Sequence, residues 1–234
     1  MERYRNIILV IASHPDDEIL GCGGTMAKLS TQGHEVATLF LTTGITSREY
    51  KSSKKKVGDV KKIHKHALKA NSIVGVKKNN VFFLNYHDQK LDTVPFYKLV
   101  GEIKKIINKL KPQKVFTHHP GDYNKDHRIC YEAVLHSSRV SFDEFFPEEL
   151  FCFEVASSTE RSFGTLSKFI PNYYVDIEYQ IEKKLLALKT YSTEIKVAPH
   201  PRSVEGVKAQ SSWRGFEVGL KYAEAFFLVR KIEI

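Results

Sequence analysis

Two short segments gather residue types that rarely serve a hydrophobic core. Ser13-His14-Pro15-Asp16-Asp17-Glu18 sets an imidazole and a carboxylate three positions apart, and a turn entering a helix can aim both at one point. A neutral imidazole and a carboxylate suit zinc, so His14 and Asp17 are candidate metal ligands. Asp16 lies between them and cannot easily face the same metal, which leaves it free to hold a water. Pro15, with no N–H and a fixed φ, stiffens the turn. The plain alternative is an acidic helix start, in which Asp16, Asp17 and Glu18 complement the helix dipole.

The second segment runs Thr117-His118-His119-Pro120-Gly121-Asp122-Tyr123-Asn124-Lys125-Asp126-His127-Arg128. His127, beside Asp126 at an expected helix start, is the candidate third ligand. Three ligands of His/Asp/His type leave a coordination position for water, as catalytic zinc sites do. Asp122 or Asp126 can orient a ligand histidine through its other ring nitrogen. His118 and His119 read as readily as loop histidines without chemistry.

Such chemistry needs a frame that brings residues 14 and 127 to one place, and the hydrophobic pattern predicts one. Asn6–Ala12 is a continuous apolar run, as in a strand covered on both faces. Glu18–Gln32 reads as a helix closed by Gly33, Glu35–Leu41 as a strand, and Lys54–Val74 as a helix closed by Gly75. A strand at Val81–Leu84, a helix across Pro95–Leu110, a strand at Lys114–Thr117 and a helix at Asp126–Arg139 continue the alternation. Parallel βαβ units require this order, and both polar segments then sit at strand ends, where open parallel sheets place their ligands. Later the pattern loosens: a strand at Leu150–Ala156, a helix at Ile177–Thr190 and a terminal strand at Ala223–Ile232. The expectation is an α/β three-layer sandwich with a mainly parallel sheet and an irregular C-terminal part, forming one domain over residues 1–234. Gly21-Cys22-Gly23-Gly24 comes a turn too late, and behind three acids, for a dinucleotide fingerprint; it predicts close packing of helix on sheet.

Composition narrows the class. With 42% hydrophobic residues, 12% aromatics and only 8 prolines, the chain has the apolar groups that a disordered segment lacks. Ile7–Ala12, the longest clean apolar run, falls far short of the ~20 residues that cross a bilayer, and Met1–Arg5 lacks a signal-peptide core. A cytoplasmic protein without a membrane span is expected. Cys22, Cys130 and Cys152 form no CxxC pair and read as small buried hydrophobes. The formal charge of +9 draws attention to Lys51, Lys54, Lys55, Lys56, Lys61, Lys62, Lys65 and Lys69. Such a face is usually just solvated, though it can also meet a phosphate or polyanion. Without interleaved aromatics or a nucleic-acid motif, no specific nucleic-acid partner is expected.

The pairing of HPDDE with HPGDYNKDHR resembles the PIG-L/LmbE-like de-N-acetylases. The likeness continues through Leu41-Thr42-Thr43-Gly44, Phe83-Leu84 with Asp88, Pro199-His200-Pro201-Arg202-Ser203, and the stretch from Trp213-Arg214-Gly215 to Ala223-Glu224-Ala225-Phe226. This resemblance implies a Rossmann-like fold, a divalent metal (usually zinc) and hydrolysis of an N-acetyl group on a small amino-sugar substrate, commonly glucosamine. By position it implies His14, Asp17 and His127 as ligands and Asp16 as general base. Many members carry a histidine where this chain has Asn124. An amide can donate to an oxyanion but cannot protonate a leaving amine, so the proton would return from Asp16 or come from a group such as His200. Arg48 is a candidate substrate contact, since a guanidinium fork suits phosphate or sugar oxygens. The competing classes are a metal-dependent phosphoesterase and a non-enzymatic polyanion- or nucleic-acid-binding module; a homo-oligomer would be unsurprising.

Overall fold

A computed structural model of the chain describes residues 6–45, 53–164 and 166–233, the side chains of 53–57 excepted. Arg48 and Lys51 lie outside the described residues. The alternating pattern folds as β1 (Ile7–Ala12), α1 (Asp17–Thr31), β2 (Glu35–Thr42), α2 (Ser53–Ile73), β3 (Val81–Tyr86), α3 (Phe96–Leu110), β4 (Lys114–His118) and α4 (Lys125–Ser137). The chain continues as β5 (Glu149–Phe153), β6 (Tyr173–Asp176), α5 (Ile181–Lys189), α6 (Val204–Phe216) and β7 (Ala223–Lys231). The seven strands form one sheet in the order β3-β2-β1-β4-β5-β7-β6. β1 to β5 run parallel, while β7 runs antiparallel to both β5 and β6. The sheet is therefore mainly parallel, as expected.

Side-chain alternation along β1 divides the core. Ile8, Val10 and Ala12 pack with α1, α2, α5 and α6, whereas Leu9 and Ile11 pack with α3 and α4. The strand order reverses between β1 and β4, because β2 lies on one side of β1 and β4 on the other. At such a switch point the two connecting loops diverge and leave a crevice beyond the strand C-termini. Both polar segments open there. Among the described residues no helix is long and apolar enough to cross a membrane.

Several late elements differ from expectation, among them the strand expected at Leu150–Ala156, which ends at Phe153. The helix predicted at Ile177–Thr190 starts only at Ile181, because residues 173–176 pair with β7 and the Ile177 N–H donates to the Tyr222 carbonyl. The 13-residue helix α6 was not anticipated; Ser203 caps it by accepting from the Gly206 N–H. Gly206 inside that helix weakens any sequence signal for it. Of the α1 glycines, Gly21 packs on the sheet as predicted, and Gly24 packs on the chain just after β6. A Cβ on Gly21 would lie 2.3 Å from Phe153 Cδ2 on β5, and one on Gly24 would lie 2.8 Å from Ile177. Replacing Gly21 by Ala should thus cost about 1–3 kcal/mol despite the better helix propensity of alanine. Gly101→Ala in α3, where nothing lies within 4 Å, should leave stability equal or slightly raised. Urea denaturation of both variants measures the contrast, and equal stability would remove the close-packing explanation.

Candidate functional site

Ser13 ties the two loops together. Its N–H donates to His118 Nε2 at 2.8 Å and its hydroxyl to the Asp126 carbonyl at 3.0 Å, across more than a hundred residues. His118 is fully buried and stacks on His127 with ring centroids 3.9 Å apart. Burial holds its pKa well below the ordinary value, so the ring is neutral and can accept from Ser13. It is not a loop histidine: it ends β4 and connects the motifs. His119 is a wall residue, with Nε2 3.1 Å from the Ser167 carbonyl.

Within this frame His14, Asp17 and His127 converge. His14 Nδ1 lies 3.1 Å from Asp17 Oδ2 and 3.2 Å from His127 Nε2, and those last two atoms are 3.2 Å apart. The triangle matches the edge, about 3.3 Å, of a tetrahedron around a metal with ~2.0 Å bonds. Three acceptor-type atoms in mutual contact cannot all be reconciled by one proton, and Asp17 Oδ1 is buried without a donor. The donor set therefore fits a divalent cation, which would take His14, Asp17 and His127 as ligands.

The far ring nitrogens are fixed as well. His14 Nε2 faces Asp88 Oδ1 at 3.0 Å and Asp126 Oδ2 at 3.2 Å; His127 Nδ1 faces Asp122 Oδ1 at 3.1 Å. Each carboxylate favours a proton on that nitrogen, which leaves His14 Nδ1 and His127 Nε2 as the atoms a cation would meet. Asp126 is itself oriented by the N–H groups of Gln89 and Leu91, and Asp122 by Ser158, Thr159 and the Asn124 N–H. His14, Asp88 and Asp126 also form a ligand-like group, but it shares His14 with the first. One neutral imidazole offers one lone pair, so the two groups are not filled together.

The field around the triangle favours positive charge. Burial alone would depress both histidines of the triangle, yet the carboxylates around His14 hold it well above the ordinary value. His127 is likewise lowered by burial but carried by Asp17 and Asp122 to about 9. Asp122 is kept well below the carboxylate range, because His127 and its hydroxyl donors outweigh desolvation. Asp16 is buried beside the triangle with φ 118°, a left-handed conformation unusual for aspartate. Desolvation pushes its carboxyl up to about 7, against the pull of Arg202. A group so placed can accept and return a proton near neutral pH.

The remaining predicted residues divide. Asn124 caps α4, its side-chain carbonyl accepting from the Asp126 N–H at 2.9 Å, so its local role is structural whatever its NH2 does. His200 accepts from the Arg202 N–H through Nδ1, and it is Arg202, not His200, that the structure sets against Asp16. Lys61, Lys62, Lys65 and Lys69 lie exposed on α2, opposite the buried Ile63, Ala67 and Ala70. The sequence pointed to Asp88 and Arg202 only through the family likeness, with no role for either, and to Glu18 only as a helix-start acid. Glu18 is fully buried and accepts from Tyr191 Oη, Asn71 Nδ2 and the Asp16 N–H. Its signal was the unbroken acidic run, which a surface helix start imitates.

Residues 9–138 match the sequence model of the PIG-L family, described as GlcNAc-PI de-N-acetylase. The diacetylchitobiose deacetylase of Thermococcus kodakarensis is 28% identical over 94% of this chain and 84% of its own. The solved N,N'-diacetylchitobiose deacetylase of Pyrococcus horikoshii, in complex with an inhibitor, superposes with a TM-score of 0.75 at 24% identity, covering 96% of this chain and 84% of that one. The 4-carboxy-2-hydroxymuconate hydratase of Pseudomonas putida also gives 0.75, at 19% identity over 98% of both chains. Those two superpositions establish a shared fold, and since a hydratase shares it, the fold does not choose the reaction.

Asp122→Asn keeps the shape of the carboxylate but removes its charge from His127. Zinc affinity measured by competition with a chromophoric chelator should fall about 10-fold or more, with the circular dichroism spectrum unchanged. Unaltered affinity would show that Asp122 does not tune the ligand.

Proposed function

Since this chain belongs to the PIG-L family, we propose that it hydrolyses the N-acetyl group of an N-acetylated amino sugar, releasing acetate and a free amine, with residues 1–234 acting as one domain. The observation that carries the reading is the buried His14–Asp17–His127 triangle with Asp16 beside it and outside it.

A divalent metal on that triangle, zinc by the nitrogen and oxygen character of the donors, supplies Lewis-acid polarisation of the amide carbonyl and makes a water more acidic. The chain's own groups do the rest. Asp16 takes a proton from the attacking water as the new carbon–oxygen bond forms. The same carboxyl then delivers that proton to the amide nitrogen as the carbon–nitrogen bond breaks. One group serves as base and then acid, so the absence of a histidine at position 124 leaves no proton unaccounted for. The Asn124 carbonyl is held by its cap, and its NH2 is the donor assigned to the developing oxyanion. Asp88, Asp126 and Asp122 favour keeping a proton on His14 Nε2 and His127 Nδ1, so a bound cation would displace the proton from His14 Nδ1 and His127 Nε2.

The test is acetate release from a panel containing N,N'-diacetylchitobiose, N-acetylglucosamine and larger N-acetylglucosaminides. The zinc-loaded protein should turn over at least one of them, chelation should abolish that turnover and zinc should restore it. Asp16→Asn should lower kcat by about 100-fold or more while metal content stays at the wild-type level. No acetate from any substrate with metal bound would reject the reading, and full activity in Asp16→Asn would remove that residue from the role of base.

A further inference from the structure

We propose that Arg202 is the positioning residue for Asp16, a clamp reaching from the C-terminal third of the chain onto the base; this rests on Asp16 acting as assigned above. Arg202 Nη1 lies 3.2 Å from Asp16 Oδ2, and its Nε donates to Ser157 Oγ at 2.8 Å. The guanidinium is thus held at two of its nitrogens by partners from different parts of the chain. Its backbone is held too: the N–H donates to His200 Nδ1 at 3.1 Å, and the carbonyl accepts from the Lys196 N–H at 3.4 Å. The following residue, Ser203, caps α6 and anchors the loop on a helix.

Asp16 is gripped from the other side through its backbone, where its N–H donates to Glu18 Oε2 at 3.0 Å. Both ends of the clamp carry left-handed backbone, Asp16 at φ 118° and Ser157 at φ 69°. Such conformations are strained and persist where surroundings over-determine them, commonly at functional sites. The contact runs from Nη1 to Oδ2 alone. An arginine suits this task because it stays charged at every working pH and so never competes for the proton that Asp16 must carry. It also offsets the repulsion between the adjacent carboxylates of Asp16 and Asp17 without touching the metal ligands. Residue 202 lies outside the segment that matches the family model, so the later part of the chain contributes directly to the site.

Crystal structures, metal analysis and steady-state kinetics of the wild type, Arg202→Met and Arg202→Lys test the clamp. In Arg202→Met the Asp16 carboxylate should turn away from its wild-type position while the His14, Asp17 and His127 donor atoms stay in place. Zinc stoichiometry should be unchanged, and kcat on N,N'-diacetylchitobiose should fall about 100-fold with KM within about threefold. Arg202→Lys should recover part of the rate, since the cation returns without its fork, and it serves in place of the Met variant should that one fail to fold. An Asp16 carboxylate unmoved in the variant overturns the clamp whatever the kinetics show, as does an unchanged kcat in an active enzyme. A wild type that releases no acetate from any substrate rejects the deacetylase reading instead, and the crystallographic comparison still decides the clamp.

Discussion

Three buried atoms set the terms for everything around them: His14 Nδ1, Asp17 Oδ2 and His127 Nε2, each within about 3.2 Å of the other two. Acceptor atoms forced together away from water are costly unless a positive charge sits among them. Their approach is imposed by the sheet, because β1 and β4 are neighbours at the point where strand order reverses. Ser13 joins the loops that follow those strands, and glycines in α1 let its helix lie against Phe153 and Ile177 closely enough to hold Asp17 in place.

The charge balance has two scales. The chain carries a formal +9, yet Asp16, Asp17, Asp88, Asp122 and Asp126 are all nearly or fully buried around one point. Each of these acids meets a histidine, an arginine, a hydroxyl or a main-chain N–H, which is what makes their burial tolerable. Lys61, Lys62, Lys65 and Lys69 on α2 are exposed, opposite the face that joins the core. Net charge therefore says little about the chemistry here, whereas the local field at the triangle, strong enough to lift His14 and His127 against burial, says a great deal.

How much of this was legible depended on range. The strands β1 to β4 and the helices between them follow from continuous apolar runs and glycine stops, which are local signals. His14, Asp17 and His127 could be chosen because parallel topology places strand ends together, so two local motifs predicted one distant contact. The carboxylates behind the two histidines were half legible: Asp122 and Asp126 stood in the motif, while Asp88 entered only through the family likeness, with no spacing rule to tie it to His14. Arg202 and Glu18 were invisible as partners of Asp16, one separated from it by 186 residues and the other disguised as a helix-start acid. The strand β6 and the helix α6 escaped because one is a four-residue edge strand and the other carries a glycine in its first turn.

X-ray absorption on the protein reconstituted with one equivalent of zinc reads the residues around the metal without relying on turnover. Zinc on the His14–Asp17–His127 triangle should show nitrogen and oxygen neighbours at about 2.0 Å with the scattering pattern of two imidazoles, reduced to one in His127→Ala. A spectrum lacking imidazole scattering, or one unchanged by that substitution, would contradict that placement.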